Sequence, residues 1–176
     1  MIRKLILFAL LCACLAFTFE WETVKEGGFT AQMPGTPTRE VVSVDTKAGK
    51  LDITILTVTK GDEVFIIGYN DIPASVAADA NPKTILDNAR DGAVRKVNGK
   101  VTSEREISIE GYPGKEFTGD GFSPSKNGEK SDEGTFTERV YWVNPRLYQV
   151  LNVRPKGSAL DDDAQKFLDS FKLVSK

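Results

Sequence analysis

The chain has 176 residues, 40% of them apolar and 27% charged, enough for one folded domain of ordinary size with a solvated surface. With 23 basic residues against 25 acidic ones its net charge is −2, which argues against nucleic acid as a partner, since phosphate binding requires a concentrated basic face. It has no histidine, and its two cysteines, Cys12 and Cys14, lie near the start, so a disulfide framework and a thiol nucleophile are excluded for the body of the chain.

The first residues form an export signal. Arg3 and Lys4 supply positive charge, an apolar run LILFALLCACLAF follows over 5–17, and polar TFEWE succeeds it. The run is too short for a transmembrane helix. Two cleavage sites compete. LCAC sets Leu11 and Ala13 ahead of Cys14 in the manner of a lipobox, which makes Cys14 the candidate lipidation site, with cleavage before it. Cys12 departs from that motif, where a small residue such as Ala or Ser is usual. Alternatively Cys14 and Ala16 are the small residues of an ordinary site, and the processed chain begins at Phe17. Residues 1–16 are thus read as signal and 17–176 as a single domain. Taking Arg3 and Lys4 from the 23 basic residues leaves 21 against 25 acidic ones, so the domain is mildly acidic.

Along the body, GGFTAQMP alternates through Phe29, Ala31 and Met33 and ends at Pro34, a short strand. TREVVSV (38–44) and LDITILTVT (51–59) follow, joined by the turn-rich DTKAGK. Leu51, Ile53 and Ile55 share a face. EVFIIGYND (63–71) is apolar on both faces, which places it centrally in a sheet and covered on each side. Asn81 and Pro82 then open a helix as N-cap and first residue. Leu86, Ala89, Ala93 and Val97 form its apolar stripe, Asp91 and Arg95 are an i,i+4 pair, and Asn98-Gly99 stops it. KVTSEREISIE (100–110) begins a second group of strands. In IEGYPGKEF (109–117), Pro113 and Gly114 have the residue types of a type II turn, which makes the stretch a hairpin reversal. A polar loop over about 119–134 precedes TFTERVYWV and RLYQVLNVR, two strands separated only by Asn144-Pro145. Asp161 to Asp163 open a last helix, with Ala164, Phe167, Leu168 and Phe171 on its buried side. The order strands, helix, strands, helix predicts an α+β sandwich on a mostly antiparallel sheet flanked by two main helices.

Little in the chain carries chemistry. IEGYPGKEF lacks the GxxxxGK[ST] and GxGxxG patterns of phosphate-binding loops, so no cofactor is implied. Histidine-based serine or cysteine catalysis is excluded, and zinc is disfavoured by the same absence. Ser123 or Ser125 beside Lys126 is a formal Ser–Lys pair, but it sits in a polar loop. Asp161 to Asp163 and the YNDIP segment (69–73) offer oxygens for calcium without EF-hand spacing, and the triple aspartate suits a helix start better. Trp21, Tyr141, Trp142 and Tyr148 are candidates for a ligand pocket, although aromatics at strand spacing are more often core. The expectation is a non-enzyme with no catalytic, cofactor-binding or metal-binding residue.

The elements W…GGFTAQMPGTP, GYPGKEF, ERVYWVNPRLYQVLNV and FLDSFKLV together resemble exported proteins of the PsbP-like fold group over roughly residues 21–174. In that group a gF-x-x-x-x-P strand leads into an antiparallel sheet and an FLdSF helix closes the domain. The group includes photosystem-associated extrinsic subunits, bacterial envelope lipoproteins and a Ran-binding import factor. The resemblance implies a PsbP-like sandwich and a binding or accessory role, and no site residue. The chain is therefore expected to be an exported binding or assembly module of the cell envelope: periplasmic, secreted, or anchored as a lipoprotein. Its partner would be an envelope protein or a membrane-associated complex. A periplasmic small-ligand carrier with a pocket between helix and sheet is the alternative. The 119–134 loop and nearby hairpin ends are the candidate recognition surface.

Overall fold

The computed structural model describes residues 20–46, 49–122 and 133–174. Cys14 and both cleavage sites lie outside the described residues, as do 123–132 of the polar loop.

The elements run β1 (Glu22–Glu26), β2 (Phe29–Met33), β3 (Thr38–Thr46), β4 (Gly49–Lys60), β5 (Glu63–Asp71), α1 (Ala74–Ala77), α2 (Pro82–Lys96), β6 (Lys100–Ile109), β7 (Tyr112–Phe122), β8 (Glu133–Val143), β9 (Arg146–Pro155), α3 (Asp162–Ser170) and β10 (Lys172–Leu173). They build two antiparallel sheets, a seven-stranded one in the order β3-β4-β5-β9-β8-β7-β6 and a three-stranded one in the order β1-β2-β10. The α+β class holds. β1, the four-residue α1 and the small second sheet are additions to the elements read from sequence.

The large sheet separates two cores. Against one face lie the small sheet and α3. Phe29, Met33, Leu56, Phe65, Ile67, Val150 and Phe167 are at most 2% exposed there. Phe171, just past α3, stacks between Phe29 and Tyr141, with ring centroids 5.1 and 5.7 Å away. Against the other face lies α2, over Phe117, Phe136, Val140, Trp142 and Leu147. The alternation of TFTERVYWV thus divides as its pattern requires, with Phe136, Val140 and Trp142 under α2 and Tyr141 on the α3 side.

Helix α2 starts where its sequence says. Asn81 accepts hydrogen bonds from the Lys83 and Thr84 amides at 2.9 and 3.3 Å, with Pro82 as the first helical residue. The i,i+4 pair it forms is Lys83–Asp87, at 2.6 Å, and Asp91 is paired with its neighbour Arg90. At α3 the Asp161 carboxylate accepts from the Ala164 amide at 2.8 Å.

The Pro-Gly stretch differs from the sequence expectation. The reversal is made by Glu110 and Gly111, with φ of 49° and 85°, and Ile109 pairs with Tyr112 across it. Two consecutive positive φ values mark the turn whose twist matches its flanking strands. Pro113 and Gly114 lie inside β7. Gly114 is needed for closeness: a Cβ there would fall 2.5 Å from the Tyr141 ring and 2.7 Å from the Val140 carbonyl. Pro113 has no N–H to give β8, and the β7–β8 pairing begins one residue later, at Gly114↔Tyr141.

Candidate interaction surface

The nine-residue stretch holding the Pro-Gly pair proves informative at Lys115. Its side chain enters the sheet face beneath α2 and is only 7% exposed. Its Nζ donates to Asp87 of α2 at 2.5 Å and to Glu104 of β6 at 2.9 Å. Burial works against the charged amine, but the two carboxylates outweigh it and raise its pKa. Lys83 and Arg90 engage the same two acids, so the group forms a charge network pinning α2 to β6 and β7. It is saturated, and its role is structural.

Glu138 is the second ionisable group under α2. It is 2% exposed, on the same strand face as Phe136 and Val140, with Gln149 Nε2 donating to it at 2.8 Å. Burial pushes its carboxyl up to about 7, against the opposing influences of Gln149 and Lys96.

On the α3 side a polar centre is buried. Asn152 and Arg154 are 0% and 4% exposed. Arg154 donates to the Ser158 carbonyl at 2.9 Å, to Thr137 Oγ1 at 3.1 Å and to Asn152 Oδ1 at 3.3 Å, and Asn152 donates to Glu63 at 2.8 Å. Burial lowers the Arg154 pKa and raises that of Glu63. Glu63 also borders an open cleft of about 330 Å³ lined by Lys60, Phe65, Asp161 and Asp163. The acids there have structural partners: Asp161 caps α3, Asp163 pairs with Lys60 and Glu63 holds Asn152. A second open cleft, of about 410 Å³, runs between β1–β2 and α3 beside Gln32, Lys166 and Ser170. Among the described residues no cluster of three or more acids, cysteines or histidines is arranged to hold a metal.

The candidate aromatics lie on both faces of the large sheet. Trp142 is in the α2 core, while Tyr141 and Tyr148 are in the α3 core. Trp21 is half-buried with Lys166 Nζ 3.9 Å above its ring. Asp71 of YNDIP is held by two bonds of 2.6 Å from Arg146. The Ser–Lys pair and most of the 119–134 loop lie outside the described residues.

Among the described residues, what stands open is a sheet face. Helix α2 packs on β7 and β8, at one end of the seven strands. At the other end, on the same face, register aligns Val42 with Ile53, Val44 with Leu51, and Ile66 with Thr57, while Ile55 and Val64 complete the rows. Val44 is 41% exposed and Val42, Leu51, Ile53, Ile55, Val64 and Ile66 are half-buried. None belongs to or packs against either core. On β4 the residues of the buried core are those of the opposite row, Thr54, Leu56 and Val58, so the face that Leu51, Ile53 and Ile55 share is the outward one. Glu40 is the one charged residue of β3 to β5 on the strip between Thr38↔Thr57 and Val44↔Leu51. A contiguous aliphatic strip of this kind, on a rigid sheet, is the candidate interaction surface. The alternation gave a signal for it: TILT carries apolar side chains on both faces, more than one core can use.

No family model matches the chain, and no curated protein does. Among solved structures, the solution structure of cyanobacterial PsbP (CyanoP) from Synechocystis sp. PCC 6803 is similar to it. The TM-score is 0.52 at 9% identity, over 93% of this chain and 97% of that one. The PsbP-like fold is thereby shown.

Proposed function

We propose that the protein is an exported, non-enzymatic accessory module of the cell envelope, and that it binds a partner protein through the open face of β3, β4 and β5. The uncovered aliphatic strip carries this reading. Isolated sheets hide such a face under a helix, as α2 does over β7 and β8, and leaving it in water is unfavourable by roughly 25 cal/mol per Å². The basic start and apolar run before residue 18 support export, and Cys14 remains the candidate anchor. The PsbP-like fold agrees with an accessory role through the resemblance already drawn.

A ligand carrier is less well supported. The space between α2 and the sheet is occupied by Leu86, Phe117, Phe136, Val140 and Trp142, and both clefts lie on the other side of the sheet.

The test is photo-crosslinking in intact cells expressing the full chain, with a photoreactive residue at Ile53 or Ile66, or at Lys83 on the solvent side of α2 as control. Discrete adducts from Ile53 and Ile66 that are absent from Lys83 are expected. Adducts from neither, or from all three alike, contradict the reading. In parallel, fractionation of wild type beside Cys14→Ser separates an acylated, membrane-bound form from a soluble one starting near Phe17.

A further inference from the structure

The seven-stranded sheet ends at β3, whose outer edge pairs with nothing among the described residues. Every described side chain on this strand is exposed except Val42, which is half-buried. From the backbone one can say which groups face out. Thr46 pairs with Gly49 across two residues, and hydrogen-bonded pairs then alternate with non-bonded ones along β3 and β4. Thr46, Val44, Val42 and Glu40 therefore turn their N–H and C=O groups toward β4. The Thr57 carbonyl, which accepts from Thr38 Oγ1 at 3.2 Å, confirms the direction on the β4 side. Arg39, Val41, Ser43 and Asp45 turn theirs toward the open edge.

An antiparallel copy of β3 can meet this edge only in registers that set outward residues opposite outward residues. Three such registers have a two-fold axis near the strand centre. Centred on Val41, pairing sets Arg39 against Ser43 and carries Asp45 to Pro37, which has no N–H. Centred on Ser43, it sets Asp45 against Val41. Centred on Val42, it uses all four outward residues: Val41 meets Ser43, and Arg39 meets Asp45, each twice by symmetry. Four pairs with two bonds each give about eight inter-strand hydrogen bonds. Of the three, only this register sets the two opposite charges against each other. The Arg39 side chain is half exposed, with Glu26 3.4 Å from its Nε and Tyr69 beside it, and Asp45, opposite Lys50 in the register, has no ion pair among the described residues.

We infer that β3 is a self-association edge: a second copy of this chain pairs with it antiparallel about Val42, and Arg39 and Asp45 select the register. The opposite edge is built against this. On β6 the outward residues are Glu104, Glu106 and Ser108, so self-pairing about Arg105 sets Glu104 against Glu106 twice, and pairing about Glu106 brings that residue onto its own copy. The pairing yields one continuous sheet of two seven-stranded halves. It also places the two open aliphatic strips side by side across the axis, with Val42 beside its own copy. The inference stands on the edge alone and does not depend on partner docking at the face.

Sedimentation equilibrium tests it, on protein purified from cells expressing the full chain, in a density-matched nonionic detergent so that an acyl chain or retained leader contributes no association. Wild type is expected to dimerise in a concentration-dependent way in the micromolar to millimolar range. Arg39→Asp and Asp45→Arg each set two like-charge pairs across the axis and should weaken dimerisation by about tenfold or more. The double variant Arg39→Asp/Asp45→Arg restores opposite charges and should recover it. Val41→Pro removes an outward N–H that β4 does not use, and should abolish the dimer while the monomer stays folded by circular dichroism. A wild type that is monomeric up to about 1 mM overturns the inference, and so does a dimer that survives Val41→Pro or fails to recover in the double variant.

Discussion

Two side chains under α2 show how single residues set the behaviour of this fold. Glu138 is raised to about 7 by burial, so between the ordinary 4.5 and 7 the folded chain holds a proton that the unfolded chain has lost. Its contribution is therefore fully present below pH 4.5 and is lost as pH rises through 7, an effect of about 3 kcal/mol at about 1.4 kcal/mol per unit. Asp71, Asp87, Glu104 and Glu116 act oppositely. Their cationic partners hold them below the usual carboxylate range, Asp87 to about 2, and stability is lost as pH falls through those lowered values. Denaturant titrations across pH should show a maximum near pH 5, and Glu138→Gln should flatten the decline between pH 4.5 and 7 and raise stability at pH 8. Lys115 supplies a contrast. Removing it leaves Asp87 and Glu104 partly exposed and still served by Lys83 and Arg90, so Lys115→Met should cost about 1–2 kcal/mol. Asp87→Asn/Glu104→Gln strands the buried amine and should be the more destabilising change in the same titration. Both groups were visible in the sequence as charges in the apolar phase of their strands, Lys115 in step with Phe117 and Glu138 with Phe136 and Val140. An alternation count passes over one charged position among several apolar ones, although that position is what a partner on the covering helix or strand must explain.

At the scale of elements, what was legible was what is local. The cap of α2, the start of α3, the strand β5 and the β8–β9 hairpin are each specified by neighbours in the chain. The β6–β7 reversal was misplaced because Pro113-Gly114 has the stronger turn composition, whereas the turn at Glu110-Gly111 is chosen by strand twist. Gly114 is kept small by the Tyr141 ring of the adjacent strand, a contact no local pattern reveals. Gly114→Val should therefore force β7 away from β8 and cost about 3 kcal/mol or more in thermal or denaturant unfolding. Gly111→Ala, strained only by its φ of 85°, should cost about 1 kcal/mol. Equal costs, or the reverse order, would return the turn to Pro113-Gly114.

For the whole molecule, the class and the resemblance were readable, but the second sheet was not. It joins β1 and β2 to β10, elements from opposite ends of the chain, and a two-residue strand such as β10 has no pattern of its own. The open face was equally hidden, because apolar residues on both sides of β4 and β5 suggest a strand covered twice. Only the position of α2 over β7 and β8 shows that, among the described residues, one side is left uncovered. The measurement that tests the account most directly is Ile53→Lys, followed in one preparation by denaturant unfolding and by crosslinking from a photoreactive residue at Ile66. If the strip is a partner surface, the substitution shifts stability by less than about 1 kcal/mol and abolishes the Ile66 adduct. If it unfolds the protein, the face is buried in the chain's own core; if the adduct survives, the strip is not where the partner binds, and the account fails.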